Sequence, residues 1–81
     1  MAQITFTVTI SEIDNLLFQG EAFSVTLPGA SGELTLLPKH EPLISLLTSG
    51  TITVRTSEGE KQFPVTKGVL ETSNNQLTVL I

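Results

Sequence analysis

Gln3-Ile4-Thr5-Phe6-Thr7-Val8-Thr9-Ile10 alternates polar and apolar side chains without a break. A period of two sends Ile4, Phe6, Val8 and Ile10 to one face of an extended chain and the polar residues to the other, the pattern of a half-buried strand. Its β-branched and aromatic content agrees. The same period returns in Phe23-Ser24-Val25-Thr26-Leu27, Thr51-Ile52-Thr53-Val54-Arg55, Gln62-Phe63-Pro64-Val65 and Leu77-Thr78-Val79-Leu80-Ile81. Between these runs stand turn-forming clusters: Pro28-Gly29-Ala30-Ser31-Gly32, Ser57-Glu58-Gly59-Glu60 and Ser73-Asn74-Asn75. Gly and Asn accept the positive φ of tight hairpin turns, so hairpins are predicted over 51–65 and 69–81. Short strands at this spacing, with no long helical pattern, indicate an all-β sandwich or barrel. Pro64 lacks an amide donor, so either its strand lies at an edge or a new segment starts there.

Two stretches break the alternation. Ser11 to Phe18 reads as a helical turn capped by Ser11 or as a polar loop delivering Leu17 and Phe18 to the core, and the loop is the preferred reading. Pro42-Leu43-Ile44-Ser45-Leu46-Leu47 is too continuously apolar for a one-sided strand, so it is either buried on both faces or offered to a partner.

With 81 residues, 40% of them hydrophobic, the chain has material for one core and is read as a single domain over 1–81. No linker or internal repeat divides it. Chains of roughly this size often need a disulfide, a metal or a partner for support. With no cysteine, disulfides and thiolate metal sites are excluded, which leaves a partner. The net charge is −4, and Lys39, Arg55, Lys61 and Lys67 are spread singly. Phosphate backbones and anionic lipids need clustered positive charge, so nucleic acid and membrane surfaces are unsuitable ligands. The first residues form neither a charged leader nor a long apolar run, and the expectation is a soluble, intracellular chain.

His40, the one histidine, lies between Lys39 and Glu41 and is bracketed by Pro38 and Pro42. An active site would require a nucleophile or second base, and a metal site three or four donors. Glu33 and Glu41 are its available companions, without any His-x-x-x-His or paired-carboxylate spacing. Each proline fixes its own φ and biases the preceding residue toward extended backbone. Pro38 to Pro42 is therefore read as a stiff corner presenting Lys39, His40 and Glu41 outward. The glycines match no phosphate-binding pattern. Glu58 and Glu60 flank a turn Gly, where charge ordinarily serves solvation. No catalytic residue, cofactor or metal is assigned.

The order of short motifs carries more. Leu17-Phe18-Gln19-Gly20, Ser31-Gly32-Glu33-Leu34, Pro38-Lys39-His40-Glu41-Pro42-Leu43, Gly50-Thr51-Ile52-Thr53-Val54, Lys67-Gly68-Val69-Leu70-Glu71 and Asn75-Gln76-Leu77-Thr78-Val79-Leu80 follow one another. Together they resemble the N-terminal β-sandwich of the epsilon subunit of bacterial and chloroplast F-type ATP synthases. The resemblance covers essentially the whole chain. It implies a two-sheet β-sandwich of about ten short strands. It also implies a non-catalytic rotor part, coupling proton-driven rotation to ATP synthesis by contacts with the gamma subunit and the c-ring.

By the same resemblance, Glu33 matches the acidic loop position facing the c subunits. Pro38, His40, Pro42, Leu43, Ile44 and Leu46 match a gamma-facing region whose composition suits an interface core. The implied location is peripheral, on the cytoplasmic side of a bacterial inner membrane or the stromal face of the thylakoid, with membrane association only through the Fo complex. In isolation the chain is expected to be a monomer.

Lys39 and Lys67 stand where the family often has Gly, and Glu41 where Ala is common. Family members continue past Thr78-Val79-Leu80 into a pair of helices that restrains ATP hydrolysis, and this chain stops at Ile81. Neither that restraint nor ATP binding is carried over. The competing readings are an unrelated β-sandwich interaction module and a small enzyme using His40 with Glu33 or Glu41.

Overall fold

The computed structural model describes residues 4–81, so Gln3, where the first alternating run begins, lies outside the described residues. Nine strands follow in order: β1 Phe6–Glu12, β2 Asn15–Ala22, β3 Ser24–Gly29, β4 Gly32–Leu36, β5 Leu43–Leu47, β6 Gly50–Thr56, β7 Gly59–Val65, β8 Gly68–Ser73 and β9 Gln76–Leu80. They form one hydrogen-bonded path, β2-β1-β9-β8-β5-β3-β6-β7, with β4 on the other edge of β3. The path curls over into two layers. One holds β2, β1, β9, β8 and β5; the other holds β4, β3, β6 and β7. The β5–β3 link between them is a single ladder pair, Gly29 with Leu47. This is the β-sandwich that the motif order implies.

The inward faces follow the period of two. Phe6, Val8 and Ile10 of β1, Val25 and Leu27 of β3, Ile52 and Val54 of β6, and Leu77 and Val79 of β9 are all buried in one cluster. Removing each such side chain from water stabilises the fold by about 1.5–3 kcal/mol before entropy is charged. The hairpins predicted over 51–65 and 69–81 are β6–β7 and β8–β9. The second turns on Asn74 and Asn75, both at positive φ (51° and 60°), as a two-residue turn matched to strand twist requires. Pro64 lies in β7, at the end of the path, where its missing N–H costs no ladder bond.

Three expectations are corrected. Ser11 to Phe18 is neither loop nor helical turn. β1 and β2 form a hairpin through Ile13 and Asp14, with an irregularity between Ile10 and Ser11. Asp14 supplies the turn's positive φ of 62°, and the shifted register breaks the alternation that would have marked a strand. Leu17 and Phe18 do pack against the core, Phe18 with its ring centroid 5.9 Å from that of Phe63. Phe23 is half-buried at the bend between β2 and β3, where Ala22 takes the inward position. Ile4 precedes β1 and is 59% exposed.

One pairing is parallel. β1 runs beside β9, joining the first strand to the last, and Ile81 N–H donates to Ser11 O (2.9 Å).

Candidate docking surface

Leaving β4 at Leu36, the chain must cross to β5 at Leu43. Pro38 and Lys39 make the turn, and Lys39 sits at φ 64°, a left-handed conformation that costs a residue with a Cβ about 1–2 kcal/mol. Lys39, His40, Glu41 and Pro42 are exposed and Pro38 is half-buried, so the corner does present its polar residues outward.

The β8–β9 hairpin holds the corner. Lys39 N–H donates to Asn75 Oδ1 (2.7 Å), and Asn75 Nδ2 donates to Thr5 O (3.0 Å). The hydroxyl of Thr72, the one buried polar side chain among the described residues, donates to Glu41 O (3.0 Å). His40 Nδ1 lies 2.8 Å from Glu41 O, a neighbouring backbone acceptor. Beneath the corner is a space of about 10 Å³ lined by Phe6, Leu36, Thr72 and Asn75 among others, room for one water and no substrate.

Glu33 is exposed on β4 opposite Pro28, whose carbonyl accepts Thr48 N–H (2.8 Å). It therefore belongs to the Leu47 end of β5, whereas the corner belongs to the Leu43 end. The structure does not bring Glu33 to His40, and among the described residues no three metal-ligating side chains gather. The apolar run of β5 splits by face. Leu43 and Leu47 turn inward against the core, while Ile44 and Leu46 are 70% and 65% exposed on the outer face.

Cross-strand register extends that outer face through residues which no motif singled out. Leu46 stands opposite Val69, Val69 opposite Leu80, Leu80 opposite Ser11, and Ser11 opposite Leu16. Leu80 and Leu16 are 47% and 56% exposed. The result is a mostly apolar row across five neighbouring strands, spanning roughly 19 Å at the usual strand spacing. The row beside it, Ile44–Glu71–Thr78–Thr9–Gln19, is polar beyond Ile44. An apolar band bordered by a mostly polar row is a surface suited to a macromolecular partner.

Residues 5–81 match the family model described as ATP synthase, Delta/Epsilon chain, beta-sandwich domain. The chain belongs to that family. This delta/epsilon-chain sandwich is 46% identical over 77 residues to the ATP synthase epsilon chain of Bordetella avium (strain 197N), covering 94% of this chain and 55% of that one. It is 41% identical over 78 residues to the ATP synthase epsilon chain of a Nitratiruptor species, covering 95% and 60%. The chain thus spans little more than half the length of these curated relatives.

Among solved structures, a chain of the Euglena gracilis mitochondrial ATP synthase, OSCP/F1/c-ring in rotational state 1, superposes with a TM-score of 0.84 at 23% identity. That match covers 99% of this chain and 51% of that one. A chain of the Tetrahymena thermophila mitochondrial ATP synthase central stalk/c-ring gives 0.77 at 15% identity, covering 98% and 63%. At those identities the likeness is one of fold.

Proposed function

We propose that this delta/epsilon-chain sandwich is a non-catalytic part of the central stalk of an F-type ATP synthase, binding gamma on one side and the c-ring on another. In this role it transmits rotation between them and has no chemistry of its own. The observation that carries the reading is the family match over residues 5–81, together with 46% identity to a bacterial ATP synthase epsilon chain.

The geometry supports a division of labour. The 38–42 corner with Ile44 and Leu46 offers gamma an apolar contact beside a stiff polar edge. Glu33, at the far end of β5, offers the c-ring a single carboxylate. An apolar contact tolerates salt; a contact resting on an exposed carboxylate weakens as the Debye length falls from about 10 Å at 0.1 M salt to about 3 Å at 1 M. The site of action on this reading is the cytoplasmic side of a bacterial inner membrane, reached through the other subunits, and the free chain is a monomer.

Calorimetric titration with the gamma subunit from the same genome tests the proposal. One-to-one saturable binding, weakened about tenfold or more by Leu46→Ala through lost apolar burial, is the expected result. Absence of binding at tens of micromolar, or binding indifferent to Ile44 and Leu46, would refute the assignment.

A further inference from the structure

We infer that Asn75 is a positioning residue for the docking corner: its side-chain amide, from the β8–β9 turn, holds Lys39 in its left-handed conformation and so sets the shape of residues 38–42. The inference rests on the reading of that corner as the gamma contact. No backbone–backbone hydrogen bond outside the strands reaches residues 38–42 among the described residues. Instead, side chains of the neighbouring hairpin serve the corner's backbone, Asn75 at Lys39 N–H and Thr72 at Glu41 O.

The Asn75 amide is used at both ends. Its oxygen accepts Lys39 N–H at 2.7 Å and its nitrogen donates to Thr5 O at 3.0 Å, so the two partners fix which way the amide points. Its own backbone carbonyl accepts Thr7 N–H at 3.2 Å. One residue thus ties the corner to the start of β1. Asn75 itself lies at φ 60°, where Asn, Asp and Gly are tolerated, so its side chain can be altered without forcing the turn. The conformation of Lys39 is costly for a residue with a Cβ and persists only where its surroundings over-determine it. The Asn75 bond supplies that restraint. Released from it, the corner samples other shapes, and binding must then restore the docking one at a cost in affinity.

The test compares the unaltered chain with Asn75→Gly, Asn75→Asp and Ile44→Ser, reading amide hydrogen exchange by NMR and the titration with gamma. Asn75→Gly keeps the turn and removes both side-chain bonds. It should speed exchange of the Lys39 amide about tenfold, leave exchange in β8 and β9 unchanged, and weaken gamma binding about five- to tenfold. Asn75→Asp keeps the acceptor for Lys39; it should restore slow exchange there and bring affinity back to within about threefold. Equally fast Lys39 exchange in the unaltered chain overturns the inference. So does an unchanged affinity in Asn75→Gly while Ile44→Ser weakens binding. Failure of the unaltered chain to bind gamma defeats the stalk reading itself, and the docking role of Asn75 with it.

Discussion

Gly29 of β3 stands directly opposite Leu47 of β5, and this single pair carries the hydrogen-bonded path from one layer of the sandwich to the other. Two backbone bonds flank it, Ala30 N–H to Leu46 O (2.9 Å) and Thr48 N–H to Pro28 O (2.8 Å). A Cβ at Gly29 would fall 2.6 Å from Gly32 O and about 3 Å from the Leu34 side chain. The close approach that lets β4 double back on β3 at this joint has room for hydrogen alone.

Gly29→Ala should therefore destabilise the domain by about 2–3 kcal/mol, since the nearest obstacle is backbone and cannot rotate away. Urea denaturation measures it. A loss under about 0.5 kcal/mol would mean that the joint relaxes freely.

Lys39→Gly removes the Cβ that makes φ 64° costly. Gly also gains freedom in the unfolded chain, so a net stabilisation of about 0.5–1 kcal/mol is expected. Thermal and urea midpoints should both rise. A fall in both would show that the lysine side chain contributes contacts outweighing its backbone strain.

Glu21 accepts hydrogen bonds on both carboxylate oxygens, from Thr5 Oγ1 (2.8 Å) and Thr7 Oγ1 (2.7 Å). The Thr7 bond, then the Thr5 bond, hold its pKa below the ordinary 4.5. A depressed folded-state pKa means that the ionised form is favoured by folding. This stabilisation is fully present above pH 4.5 and is lost as pH falls through the folded value. The stability gap between the unaltered chain and Glu21→Gln should thus be constant near neutrality and narrow on acidification below pH 4.5. A gap that widened there would reverse the sign of the argument.

Ile44 and Leu46 face out while Leu47, next in the chain, is 4% exposed. Ile44→Ser and Leu46→Ser should each change stability by no more than about 0.5 kcal/mol, whereas Leu47→Ala should cost about 2–5 kcal/mol. On the stalk reading the two serine variants nonetheless lose gamma affinity. Loss of both stability and binding in the outward pair would make them core residues and remove the docking surface.

The alternating runs at Phe6 to Ile10, Val25 to Leu27, Thr51 to Arg55 and Leu77 to Val79 were legible as strands because burial on one face leaves a period of two in the sequence itself. The Asn74-Asn75 turn was equally legible, since positive φ selects the residue type locally. The β1–β2 hairpin was not, because Ile13 is spent in the turn and the irregularity after Ile10 shifts the phase, leaving Leu16 exposed at a position where the even-numbered alternation would bury it. His40, Pro38 and Pro42 announced a corner, but nothing near them in sequence pointed to Asn75, 36 positions beyond Lys39.

The all-β class, the β6–β7 and β8–β9 hairpins, the outward polar corner and, through the order of the motifs, the family can all be read along the chain. The parallel pairing of β1 with β9, the placing of Glu33 and His40 at opposite ends of β5, and the shared outer row of Leu46, Val69, Leu80 and Leu16 emerge in the folded molecule alone. The difference is physical. Turn chemistry and facial alternation are set by each residue and its immediate neighbours. Adjacency across strands depends on register, which is settled only when distant segments close over one core.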